Sequence, residues 1–220
     1  MTPRSLLETL QAFIERSYGM PGVIGDLSPF IVGDAGYLAF YVNESKPRPA
    51  RRAHLLVRDS GAVLRAVLYY PDALVRHLER FNPLAGIGDE NIDAFAVFVE
   101  ELDHLLTVAS RALERRPITL LELEHHANVT KYLVVLHFLG KQAGRRRVPE
   151  PLRIWARHHL FEKFSEAEGE EQARYRTAAR VARGYVSYFE SLPISERHRE
   201  LRALQRRPFS ETFRIAANQN

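Results

Sequence analysis

The chain has 220 residues, no cysteine and a formal net charge of +4, with 45% hydrophobic and 26% charged residues. This is the balance of a globular protein, and a chain of this length buries roughly 70% of its unfolded surface without needing covalent staples. The lack of cysteine excludes disulfides and thiolate metal sites, so any metal must be held by His, Asp, Glu or water.

Leu6, Leu7, Leu10, Phe13, Ile14 and Tyr18 recur at helical spacing and predict a first helix over 5–18. Gly19 to Gly25, with Pro21, ends it. Phe30 to Val32 is read as an edge strand, and Gly36 to Val42, rich in aromatic and β-branched residues, as a further strand. Asn43 to Arg52 is a polar connection. Ala53 to Arg58 and Ala62 to Tyr70 then flank a glycine-containing turn and predict a hairpin. Pro71 opens a short helix over 72–80.

From Asn91 onward the pattern is helical, over about 91–115, 119–139, 150–165, 170–191 and 195–206. Ser195 is the expected cap of the last helix, and the tail beyond Pro208 is expected to be weakly ordered. Runs of strands followed by runs of helices define an α+β fold. A small antiparallel β-sheet with flanking helices occupies the N-terminal third, and the C-terminal two thirds are mainly α-helical. The expected organisation is an α+β subdomain at 1–85, a helical subdomain at 86–208 packed on it as one folding unit, and a tail at 209–220. No apolar run is long enough for a membrane span; the longest candidate, 118–139, holds Glu122, Glu124, His125, His126, Lys131 and His137. The N-terminal residues enter an amphipathic pattern with no leader-like apolar run, and a cytoplasmic location is the expectation.

Two of these helices carry polar groups inside apolar faces. In the helix at 91–115 an apolar arc covers most of the circumference. Asp93, Glu100, Asp103, Thr107, Arg111 and Glu114 form its polar strip. Glu101 falls within the apolar arc and His104 on its border, three residues apart and able to meet. The next helix opens on a capping box, Thr119 with Glu122. It is then apolar nearly all round, interrupted by the stripes Glu124–Asn128–Lys131 and Glu122–His126–Thr130–His137, with His125 apart from both. Ionisable groups at such positions must be paired, hydrogen-bonded or metal-bound.

The segment Phe98-Val99-Glu100-Glu101-Leu102-Asp103-His104-Leu105-Leu106 resembles the active helix of small bacterial zincin metallopeptidases, which carries His-Glu-x-x-His in an apolar surround. Glu124-His125-His126-Ala127-Asn128 is similar to the downstream Glu-bearing helix of the gluzincin-like members. The resemblance implies Glu101 as general base and Glu100, His104, Glu124 and His125 as metal ligands. His126, Asn128 and Lys131 would support them, with zinc or another divalent metal bound. Glu100 stands where that pattern has its first histidine. If the two helices form a simple hairpin, His104 lies level with about Thr130, and His125 is displaced by roughly 7 Å along the axis.

A different reading pairs Glu101…His104 with Glu122…His125 as the twin Glu-x-x-His units of a di-iron bundle, with His158, His159 and Glu162 as further ligands. Arginine gathers late in the chain. Arg145, Arg146 and Arg147 are candidates for contact with nucleic acid or an acidic partner, although the later arginines are interspersed with Glu. The expected function is a non-catalytic or degenerate metallopeptidase-like protein that acts through a protein partner or self-association. A metal-dependent hydrolase with an atypical Glu/His site is the first alternative, and a nucleic-acid-binding protein the second.

Overall fold

Ser5 accepts a hydrogen bond from the amide of Glu8, whose carboxylate bonds the Ser5 amide in return at 2.8 Å, and this capping box starts α1, Leu6–Tyr18. The helix ends at Gly19, whose φ of 69° would strain any side-chain-bearing residue. The computed structural model describes residues 4–20, 22–40, 52–61, 63–145, 147–162 and 170–218. The expected strand end at 41–42, most of the polar connection, Arg146 and the helical run at 163–165 lie outside these residues.

After a 3₁₀ turn at Ser28–Phe30 come β1, Ile31–Val32, and α2, Asp34–Phe40. The segment expected as a strand from Gly36 is therefore a helix. Asp34 and Asp72 explain the change. The Asp34 amide donates to the Asp72 carboxylate at 3.0 Å, while Asp34 accepts from the Tyr69 hydroxyl at 2.7 Å. These bonds fix a helix start, and Tyr37 packs on Tyr69 with the rings tilted and their centroids 4.4 Å apart. The aromatic content that suggested a strand is used as a helix face instead.

The hairpin forms as expected, β2 (His54–Asp59) antiparallel to β3 (Leu64–Tyr69). β1 joins the other edge of β3 in parallel, so the sheet order is β1-β3-β2 and the sheet is mixed rather than wholly antiparallel. α3, Asp72–Arg80, follows with Pro71 just before its first turn. The long helices are α4 (Ile92–Leu113) and α5 (Leu120–Gln142). After α6, Glu150–Arg157, comes a π-turn at His158–Glu162. α7 (Glu170–Ser191), α8 (Ile194–Arg206) and α9 (Phe209–Ala217) complete the order. Pro193, not Ser195, sits at the cap of α8.

α9 corrects the expectation of a weakly ordered tail. It packs along α7, where a Cβ added to Gly184 would fall 2.5 Å from the Ala216 carbonyl oxygen. Only glycine lets the two backbones approach so closely, and a single glycine inside a helix gives no hint of that in sequence.

α5 is the central element, packed against α4 and α7. α1 crosses to α8, α4 and α5, so one core runs from Leu10 to Ala216 and joins both expected subdomains. Tyr70, at the end of β3, stacks on Phe98 and donates to its carbonyl at 2.6 Å, seating the sheet on α4 one turn before the polar cluster. Among the described residues no helix is long and apolar enough to cross a membrane.

Candidate metal centre

α4 and α5 are antiparallel neighbours, and the rungs between them are polar. Lys131 donates to Glu100 at 2.6 Å, Thr130 to Asp103 at 2.7 Å, and His126 meets Asp103 at 2.8 Å and Thr107 at 3.2 Å. The Thr130–Asp103 and His126–Thr107 rungs lie within one residue of the register expected from sequence, while Lys131–Glu100 and His126–Asp103 depart from it by three and five.

One group of side chains gathers at the edge of the interface. Ligand atoms of Glu100, His104 and Glu124 all lie within 4.8 Å of one another. The i, i+4 spacing stacks Glu100 and His104 on one face of α4, and Glu124 reaches them from α5. The Nε2 of His104 is 3.8 Å from Glu124, while its Nδ1 is 3.5 Å from Glu101. Glu101 thus sits behind the imidazole, on the side away from Glu124.

Charge in this group is unevenly compensated. Burial alone would raise the pKa of Glu100, but Lys131 and then His104 outweigh it and hold the carboxyl below its ordinary range. Burial lifts Glu124 to about 7, with Glu100 beside it, against the pull of His104 and Lys131. Burial would lower His104, yet Glu101, Glu100 and Glu124 together keep it above its usual value. Both raised pKa values favour a proton on His104 and on Glu124, in competition with a metal ion. The Oε2 atoms of Glu101 and Glu124 and the Nε2 of His104 are buried with no hydrogen-bond partner among the described residues. Polar atoms left in this state are costly, and a cation between His104 Nε2 and Glu124 would satisfy those two, with Glu101 left on the far side of the ring.

His125 does not join. Its ring lies edge-on to Tyr185 and Phe209, 5.8 and 5.5 Å away, and burial lowers its pKa to about 3. Axial displacement is not the reason, since Glu124, one residue farther from the expected level, reaches His104; the His125 ring points to the α7–α9 side. The twin Glu-x-x-His arrangement fails because His125 points away and Glu122 turns back to cap Thr119 at 2.8 Å. His158 and His159 lie near Glu162, Asp89 and Asp93, apart from the cluster. Of the supporting residues, Lys131 belongs to the site. Asn128 donates to the Glu124 carbonyl at 2.7 Å and holds the backbone.

The placement of Asp103 overturns the polar strip read on α4. It is fully buried, as is Thr107, and Arg111 is 7% exposed. Thr130 gives its only proton to Asp103, so Tyr18 must donate to Thr130, at 2.8 Å. His126 then donates through Nδ1 to the second Asp103 oxygen. Burial, then the charge of Asp103, raises Tyr18 well above the usual phenol range, which keeps it a donor. The signal was present in sequence: Asp103–Thr107–Arg111 and Glu122–His126–Thr130 are two polar stripes on consecutive helices. They are spaced to face each other.

Arg145 and Arg147 are exposed, and Arg146 lies outside the described residues. Much of the later arginine is already matched: Arg153 and Arg157 with Glu190, Arg183 with Glu162, Arg199 with Glu196 and Arg207 with Glu200. Comparison with protein-family models, with characterised proteins and with solved structures gives no match.

Proposed function

We propose that this protein binds a divalent metal ion between α4 and α5 and acts as a metal-dependent hydrolase. Glu100, His104 Nε2 and Glu124 would hold the metal. The observation that carries the reading is the convergence of these three side chains, with His104 Nε2 and a Glu124 oxygen buried and unpartnered. An N/O ligand set of this kind suits zinc or a similar divalent ion.

Glu101 takes a different role from the general base that the zincin resemblance implies. A carboxylate on the far nitrogen of a ligating histidine fixes its tautomer and raises its basicity, and Glu101 stands at that nitrogen. Lys131 occupies one oxygen of Glu100 and leaves the other for the ion. Three protein ligands leave a coordination position open, and a metal held there supplies Lewis acidity to a bound substrate or water. Since His104 and Glu124 must lose protons, affinity rises with pH across neutrality.

The test is metal analysis of protein purified without chelator, followed by zinc titration. The expected result is one ion per chain, lost in His104→Ala and in Glu124→Gln. Metal-free protein whose thermal midpoint ignores both zinc and chelator would sink the proposal. It would favour the second reading, a non-catalytic protein acting through interactions. The Lys131–Glu100 ion pair supports that reading, because it already supplies one internal cation.

A further inference from the structure

Beyond His126, a second group of buried polar atoms has no use in the metal centre. α4, α5, α8 and α9 border a cavity of about 20 Å³, lined by Thr107, Arg111, His125, His126, Arg207 and Thr212 among others. Three atoms of that lining are buried with no hydrogen-bond partner among the described residues: His126 Nε2, His125 Nε2 and Arg111 Nε. Each such group costs about 1–3 kcal/mol when left unsatisfied, so their convergence points to an occupant.

The chemistry of the lining restricts that occupant. Arg207 is committed to Glu200 at 2.7 and 3.1 Å, and Glu122, the acid in the lining, is committed to the Thr119 cap. Arg111, at 7% exposure, makes no ion pair among the described residues. The charges of Glu122 and Glu114 act on it without an ion-pair contact, so a nearly buried guanidinium has no anion directly against it among the described residues. His126 differs. Its Nδ1 is bound to Asp103, and in the neutral ring that bond leaves Nε2 as an acceptor. The occupant must therefore be anionic toward Arg111 and yet donate a proton to an imidazole.

We propose that this cavity binds a small oxyanion that still carries a proton, hydrogen phosphate or bicarbonate. Its charged oxygens sit on Arg111 and its O–H donates to His126 Nε2. The small volume favours bicarbonate, whose planar oxygens also match the guanidinium fork. Sulfate and chloride match Arg111 but offer His126 no proton. The proposal does not rest on the metal centre.

The experiment uses the full chain at pH 7.5 and constant ionic strength. Bicarbonate, inorganic phosphate, sulfate and chloride are titrated in turn. The readouts are the thermal midpoint and the ¹⁵N resonance of His126 Nε2. Bicarbonate or phosphate is expected to raise the midpoint and shift that resonance, with half-saturation at least tenfold below that of sulfate. Whichever of the two acts at lower concentration is the natural class. The response should vanish in Arg111→Gln and persist with chelator and in Glu124→Gln. Equal responses to all four anions, an unmoved His126 resonance, or a response that survives Arg111→Gln or needs metal would overturn it. The resonance in the unaltered protein decides the matter even if Arg111→Gln folds poorly.

Discussion

Glu100, Glu101 and His104 share the same two turns of α4 with Asp103, which lies only about 60° round the helix from Glu100, yet their surroundings differ in kind. Asp103 is entirely buried and each of its oxygens accepts a hydrogen bond, from Thr130 and His126. The cluster of Glu100, Glu101, His104 and Glu124 lies nearer the surface, with the Glu101 side chain 13% exposed, but leaves buried oxygens and a nitrogen unpartnered. Depth therefore does not separate the two regions. What separates them is the state of the carboxylates: both Asp103 oxygens are satisfied, whereas an oxygen each of Glu101 and Glu124 is not, and an unsatisfied buried group still has affinity to offer.

The comparison breaks most visibly at Asp103. Asp103→Ala strands Thr130 and His126 in the core and should destabilise the protein by about 3–5 kcal/mol in denaturant unfolding, with metal binding retained wherever the variant folds. A loss below about 1 kcal/mol would mean that the network is not what holds α4 to α5.

Glu124 gives the next largest effect, and its sign separates the two regions. Its folded pKa of about 7 lies above the unfolded value of 4.5, so its stabilising contribution is full below 4.5 and is lost as pH rises through 7. His104, also raised, acts in the same direction. His125, lowered to about 3 from 6.5, acts oppositely: its contribution is present above 6.5 and lost as pH falls towards 3. Subtracting wild type from Glu124→Gln, in chelator, cancels groups remote from Glu124, His125 among them, and leaves Glu124 with the groups coupled to it, chiefly His104 and Glu100. The difference should move by roughly 3 kcal/mol in favour of the variant between pH 4.5 and 8. A flat difference would show that Glu124 titrates as an ordinary carboxyl.

The smallest effect sharpens the role of Glu101. If it orients His104, Glu101→Gln should weaken zinc binding about 10–100-fold in a competition titration and keep the stoichiometry. Unchanged affinity would leave Glu101 without a part in the site.

Much of the fold could be read from residue order, and the exceptions share a cause. The helix caps at Ser5 and Thr119 and the hairpin over 54–69 are local, set by a few neighbouring side chains, and they form as expected. The segment at Gly36 misled because its aromatics serve equally on a strand or a helix, and Asp72, far along the chain, chooses between them. Helix α9 was hidden because it depends on close approach to Gly184 rather than on its own periodicity. Within the candidate site, Glu100, His104 and Glu124 are three of the four ligands that the zincin resemblance implies. His125 was misassigned because a one-residue step on a helix turns a side chain by about 100°, which carries it towards Tyr185 and Phe209.

By itself the sequence determined that carboxylates and imidazoles would be drawn into the α4–α5 interface, because the apolar periodicity around them leaves no solvent face to receive them. Which of them would meet was decided by the antiparallel register of the two helices and by α1, α8 and α9 closing over one side. That packing completed the hydrogen bonds of Asp103. It also left His104 and Glu124, and separately Arg111 and His126, with bonds still to make.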